Sequence, residues 1–215
     1  MIFNYCTVLK FIVKPVKEGI VRRFTEGSKK PLDIIICENL IGADAFLKGM
    51  ISDLMTEDER KFLDQVGFVE ASIGRMVPIQ TDAMKDGNPL RVCVERYDRL
   101  PVDKAAFRGE IPPIENLVPF SPFSYYIERK LFVHNMGHAS TAYLGQYLGC
   151  ETIWESIAKP EVELIVLRAM QASALAMSQR YNVPFQGLNE HVENLIYRFS
   201  NKQLGDTNAR VGGDI

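Results

Sequence analysis

The chain has 215 residues, enough to bury one large core or two small ones, and 25 Lys and Arg against 27 Asp and Glu give a formal net charge of −2. The basic residues are dispersed, so the electrostatic footprint of a nucleic-acid binder is absent. No stretch reaches the roughly 18 apolar residues that a membrane span requires, so neither nucleic acid nor a bilayer is an expected partner.

Cys6, Cys37, Cys93 and Cys150 lie far apart with no Cys-x-x-Cys pair, each beside apolar residues or in an element expected to be buried. That usage fits reduced thiols and a cytoplasmic location. The opening run Met-Ile-Phe-Asn-Tyr-Cys-Thr-Val-Leu-Lys has no basic region, and Asn4 and Lys10 interrupt its apolar character, so it is not read as a signal peptide.

Residues 1–12 read as a buried strand or an irregular leader. From Pro15, a favourable first helical residue, Val16, Ile20, Val21 and Phe24 repeat at helical spacing until Gly27. After a polar break, Leu32-Asp33-Ile34-Ile35-Ile36-Cys37 has the β-branched content of a strand buried on both faces in a parallel sheet. Ligands of such sheets sit beyond the carboxyl ends of the strands, where Glu38 and Asn39 stand. Asn39 could equally cap the next helix.

That helix spans residues 44–65, restarted by a capping box at Thr56-x-x-Glu59. Short extended pieces follow at Gly67–Val69 and Arg75–Pro78, then an exposed turn from Thr81 to Pro89. Arg91 to Tyr97 alternates like a strand. The prolines of 108–122 predict an ordered-coil connection, and the domain boundary is placed there: 1–110 an α/β domain, 111–215 a helical one. Beyond it come helices at 151–158, from Pro160 onward and at about 188–200, with Met170 and Met177 as core filler.

The most informative stretch is Tyr125 to Gly145, whose apolar positions recur at helical spacing up to a glycine placed to end the helix. On a wheel of about 100° per residue with Lys130 at zero, His134 falls at about 40°, His138 at about 80° and Asn135 at about 140°. A lysine, an amide and imidazoles on one arc of an apolar helix read as a site. The bland alternative makes Glu128 and Arg129 surface charges and His134 a satisfied histidine near the core. His134 and His138 also have the i, i+4 spacing of a zinc pair, but Asn135 stands where the zincin pattern needs Glu and no third ligand is nearby, so no metal is assigned. Burial would lower the lysine pKa and make it a base near neutrality, while an amide can donate to a developing alkoxide. This is equipment for alcohol oxidation with a bound hydride acceptor.

Lys130, four residues, Asn135, two residues, His138 resembles the signature of the polyol-specific long-chain dehydrogenases, the mannitol dehydrogenase family. Glu128-Arg129-Lys130-Leu131-Phe132, Asn135, Gly137-His138-Ala139 and Ala142-Tyr143-Leu144-Gly145 resemble its mannitol-1-phosphate 5-dehydrogenase branch, and the resemblance runs from about Val16 to Arg210. It implies a Rossmann-type α/β domain followed by a mainly α-helical domain, NAD as cofactor, and interconversion of mannitol 1-phosphate and fructose 6-phosphate. By resemblance Lys130 is the general base, Asn135 and Asn39 stabilise the alkoxide from facing sides, His138 orients substrate hydroxyls, and Glu38, Asn39 and Arg75 lie at the cofactor. Sister activities on free mannitol or a hexuronate, tagaturonate or fructuronate, are the alternatives within the family. A homo-oligomer is compatible with each.

Two positions depart from the family pattern: Gly74 replaces an aspartate before Arg75, and Gly213 replaces a basic residue after Arg210-Val211-Gly212. No Gly-x-Gly-x-x-Gly turn occurs anywhere in the chain, although a dinucleotide's pyrophosphate normally rests on one. Relatives carry a Rossmann half before the matching region and further helices after it. The chain is therefore expected to be a fragment whose α/β part is a Rossmann remnant, and a catalytically silent folded or oligomerising module is the alternative from another functional class.

Overall fold

A computed structural model describes residues 7–213. In chain order the elements are helix α1 (Thr7–Thr25), strand β1 (Leu32–Ile36), helices α2 (Ala43–Asp53) and α3 (Glu57–Arg60), strand β2 (Val66–Glu70), the short helix α4 (Asp82–Lys85), strands β3 (Leu100–Asp103) and β4 (Leu117–Phe120), and helix α5 (Ser124–Arg129). A π-helical segment, Lys130–Asn135, leads without a break into α6 (Met136–Tyr147), followed by α7 (Ile153–Ile157), α8 (Pro160–Tyr181), α9 (Phe185–Phe199) and α10 (Asn208–Gly212). The chain divides into two compact units, one ending at Ile73 and resuming over Arg99–Ser124, the other built from Gly74–Asp98 and Tyr125 onward.

In the first unit β1 and β2 pair in parallel, with Leu32 opposite Val66 and Ile36 opposite Glu70. β1 is only half-buried over Leu32–Ile35 rather than covered on both faces, because β2 is its one ladder partner among the described residues. Helices α1 and α2 lay Val13, Ile20, Phe24, Leu47 and Ile51 against this pair, and Phe24 stacks on Phe62 at 5.5 Å. Lys17 of α1 bonds Glu59 at 2.8 Å, and Glu59 also completes the capping box with Thr56 that the sequence announces. Asp33 accepts the backbone N–H groups of Arg108 and Gly109 at 2.7 and 3.0 Å, tying the loop after β3 to β1.

Several expectations are corrected. Residues 1–6 lie outside the described region, but 7–12 are helical, so α1 starts before Pro15 and holds that proline in its interior. The carbonyl of Phe11 loses its usual donor there, on a face where Phe11 is 81% exposed and water can replace it. The proline-rich connection contains β4, parallel to β3 with Val102 opposite Pro119. A two-stranded ladder leaves alternate N–H groups unused, which is where proline is tolerated. Cys37 is exposed, and Cys37, Cys93 and Cys150 are free thiols.

The second unit is helical around Val133, Val166, Met170, Val192, Leu195 and Phe199, and both predicted filler methionines are buried. Gly145 does not end its helix: α6 runs to Tyr147 and the left-handed turn falls on Gly149, φ 77°. Gly145 is glycine for a different reason. A Cβ there would lie 1.8 Å from the Ser156 hydroxyl of α7, so the side chain is excluded by helix contact. No helix among the described residues is long and apolar enough to cross a membrane.

Candidate active site

The π-helical segment spans Lys130 to Asn135, the first two residues of the sequence pattern, and the Met136 N–H reaches back to the Leu131 carbonyl. With i→i+5 bonding the 100° phase of an ordinary helix does not apply, and Lys130 and Asn135 stand one turn apart on a common face. The same widening lets adjacent Val133 and His134 both turn inward while Phe132 and Asn135 remain exposed. Lys130 is half-buried, and burial pushes its amine below the ordinary lysine range.

All three histidines of the chain lie in this unit. His134 is buried and held well below the usual imidazole range, first by desolvation and then by Arg198 and the neighbouring histidines. It is the core histidine of the bland reading. His138 stacks on Phe199, ring centres 4.9 Å apart and planes 8° from parallel, and its Nε2 lies 3.6 Å from Asp206. Burial takes it down to about 4 despite the opposing pull of Asp206. His191 of α9 is pushed to about 3, by burial and then by Arg129 and Arg198. No group of three His, Cys, Asp or Glu suited to a metal occurs among the described residues.

Arg198 supports this cluster from α9. Its guanidinium forms a two-pronged, buried ion pair with Glu95, donates to the Gly74 carbonyl at 2.5 Å and lies 4.4 Å above the Tyr97 ring. Glu95 also accepts the Met76 N–H at 2.5 Å. The 91–97 stretch does alternate, with Cys93, Glu95 and Tyr97 less exposed than their neighbours, yet it is not a strand. Its polar backbone is served by side chains instead, as where Gln80 both donates to and accepts from Cys93. Arg75 donates through Nε to the Tyr97 carbonyl. At Gly74 a Cβ would lie 3.2 Å from the Tyr97 ring, so an aspartate there would require that ring to shift.

Glu128 and Arg129 are engaged rather than free surface charges: Glu128 accepts from Arg180 at 3.0 Å, and Arg129 lies 4.5 Å over Tyr126. Glu38 and Asn39 sit in the first unit just past β1, with the Asn39 N–H bonded to the Glu38 carboxylate. Asn39 is not the helix cap. Gly42 holds that position, and Glu70, at the end of β2, accepts the Ala43 N–H at 2.9 Å. The helix thus brings Lys130, Asn135 and His138 into one unit with Arg75, while Glu38 and Asn39 belong to the other. His191, Arg198, Glu95 and Asp206 are absent from the sequence-derived set. The one sequence sign of them is the seven-residue spacing of His191 and Arg198 on an amphipathic helix.

Residues 6–116 match the mannitol dehydrogenase Rossmann domain and residues 123–214 the mannitol dehydrogenase C-terminal domain. The chain belongs to the mannitol dehydrogenase family. Its Rossmann-type first part and helical second part are those of the family. Among solved structures it is similar to a D-sorbitol dehydrogenase in substrate-free form, with TM-score 0.76 and 17% identity over 95% of this chain and 46% of that one. It is also similar to Pseudomonas fluorescens mannitol 2-dehydrogenase, solved as a ternary complex with NAD and D-mannitol, with TM-score 0.67 and 21% identity over 95% of this chain and 43% of that one. The chain spans less than half the length of either, and likeness at these identities establishes the fold.

Proposed function

We propose that the chain carries the catalytic residues of an NAD-dependent polyol dehydrogenase, acting on mannitol 1-phosphate and fructose 6-phosphate. The observation that supports this most is the π-helical segment bounded by Lys130 and Asn135, with the Lys130 amine lowered by burial. A lysine whose charged form is disfavoured by burial is a better acceptor for a hydroxyl proton, and an amide one turn away can donate to the oxygen as it gains charge. His138 would hold a substrate hydroxyl, and the resemblance assigns Asn39 as a further donor to the alkoxide. The phosphate branch is preferred because of the Glu128 to Phe132 string.

The residues at the end of β1 fit part of a dinucleotide site. Glu38 and Asn39 offer an acceptor and an amide beyond the carboxyl end of a parallel strand, the usual ligand position in such sheets. Arg75 is exposed and adds a cation. Glu38 and Asn39 would hold NAD, which when bound supplies the hydride acceptor, and the resemblance assigns Arg75 to the cofactor as well. The glycine turn that takes a pyrophosphate is not among the residues of this chain. Free thiols at Cys37, Cys93 and Cys150 support a cytoplasmic location.

Calorimetric titration with NADH followed by fructose 6-phosphate tests the reading. Saturable binding of NADH, with sugar phosphate binding afterwards, supports it. Heat with free fructose or a hexuronate in place of the phosphate moves the assignment to a sister activity, and no binding of any of them leaves a folded module without this activity.

A further inference from the structure

Asp206 lies two residues before α10, ahead of its N-cap Thr207, and is held from three sides. Its backbone carbonyl accepts the Ile153 N–H at 2.9 Å at the start of α7. One carboxylate oxygen, Oδ1, accepts from Arg210 one turn on. The other, Oδ2, faces His138 Nε2 at 3.6 Å, beyond a direct hydrogen bond. Nε2 is itself buried and has no hydrogen-bond partner, and the Phe199 stack restrains the ring from turning away.

We propose that Asp206 is a positioning residue for His138: its carboxylate, facing Nε2 at 3.6 Å, favours the imidazole tautomer with the proton on Nε2 and leaves Nδ1 as the acceptor. A neutral imidazole has one donor and one acceptor nitrogen, and a bare Nε2 would set its lone pair against the carboxylate. The ring is neutral at pH 7 because burial, Arg210 and Arg198 together outweigh Asp206. His134, whose ring centre is 6.2 Å away, is neutral as well. The consequence is a polarity for binding. His138 accepts a hydrogen bond from a substrate hydroxyl, and that oxygen keeps its lone pairs for donors elsewhere. This consequence rests on the polyol reading, whereas the tautomer does not.

The test is long-range 1H–15N NMR of the 15N-histidine-labelled full chain at pH 7, with His134 and His191 assigned by replacement. The expected pattern for His138 is a pyrrole-type Nε2 and a pyridine-type Nδ1, shifting towards a mixture in Asp206→Ala. A bare Nε2 in the unsubstituted chain overturns the proposal without any variant, as does an unchanged pattern in a folded Asp206→Ala chain. Addition of mannitol 1-phosphate is read separately: His138 signals that do not move remove the polyol reading and leave the tautomer assignment standing.

Discussion

Lys130 and Asn135 occupy the first and last positions of one π-helical segment, a single widened turn apart. Such segments are rare and recur at functional sites. Here the widening aligns a lysine and an amide while turning Val133 and His134 into the core. Because burial destabilises its charged form, Lys130 should titrate below the ordinary lysine range. In a 13C-methylated sample followed by NMR, its midpoint is expected below the ordinary value of about 10.4. Titration together with the exposed lysines would contradict this.

The histidines give the chain a defined acid sensitivity. His138 at about 4 and His191 at about 3, with His134 also lowered, take up protons more readily when unfolded, where the value is about 6.5. Between those limits the unfolded chain binds more protons, so stability rises with pH and is lost as pH falls from about 6.5 towards 4. Denaturant midpoints measured from pH 7.5 to 4.5 should fall by an amount corresponding to several kcal/mol, at about 1.36 kcal/mol per pKa unit. His191→Gln should flatten the profile. A flat profile in the unsubstituted chain would show that the ring environments differ from those described.

Glu95 and Arg198 are both nearly inaccessible, with side chains 5% and 6% exposed. Removing one partner strands the other, a loss of about 3–5 kcal/mol. Glu95→Ala should lower the urea midpoint accordingly, while the double change Glu95→Leu with Arg198→Met should cost much less than the sum. Additive losses would show that the two side chains are not coupled.

Two helical glycines should respond in opposite ways. Gly145→Ala drives a Cβ into Ser156 and towards the Asn208 amide that Ser156 bonds, so overpacking should cost about 1–3 kcal/mol. Gly187, in the first turn of α9, has no atom within 4 Å of its notional Cβ, and Gly187→Ala should stabilise by roughly 0.4–1 kcal/mol. Thermal melts of the two variants read both signs.

Much of the fold was legible because it depends on local patterns. The β-branched run of β1, the Thr56 to Glu59 capping box and Pro160 at the start of α8 each specify their element within a few residues. What was hidden depends on partners distant in sequence or on backbone pairing. The π-helical turn uses the same side-chain spacing that reads as an ordinary helix, so its register was not visible. The alternation of 91–97 reports an inward face correctly but not that side chains replace the ladder. Glu95 and Arg198 are 103 positions apart, and nothing local marks either as the other's partner. Gly145 reads as a helix stop until Ser156 is known to press on it.

The most direct measurement is turnover of mannitol 1-phosphate with NAD, followed as NADH absorbance, by this chain and by Lys130→Ala confirmed folded by circular dichroism. Turnover is expected to rise with pH through the lowered Lys130 pKa and to fall by about 10²–10⁴-fold in the variant, the usual weight of a general base. A folded variant retaining its rate within a few-fold, or an unsubstituted chain that turns over none of the family's sugars, would contradict this.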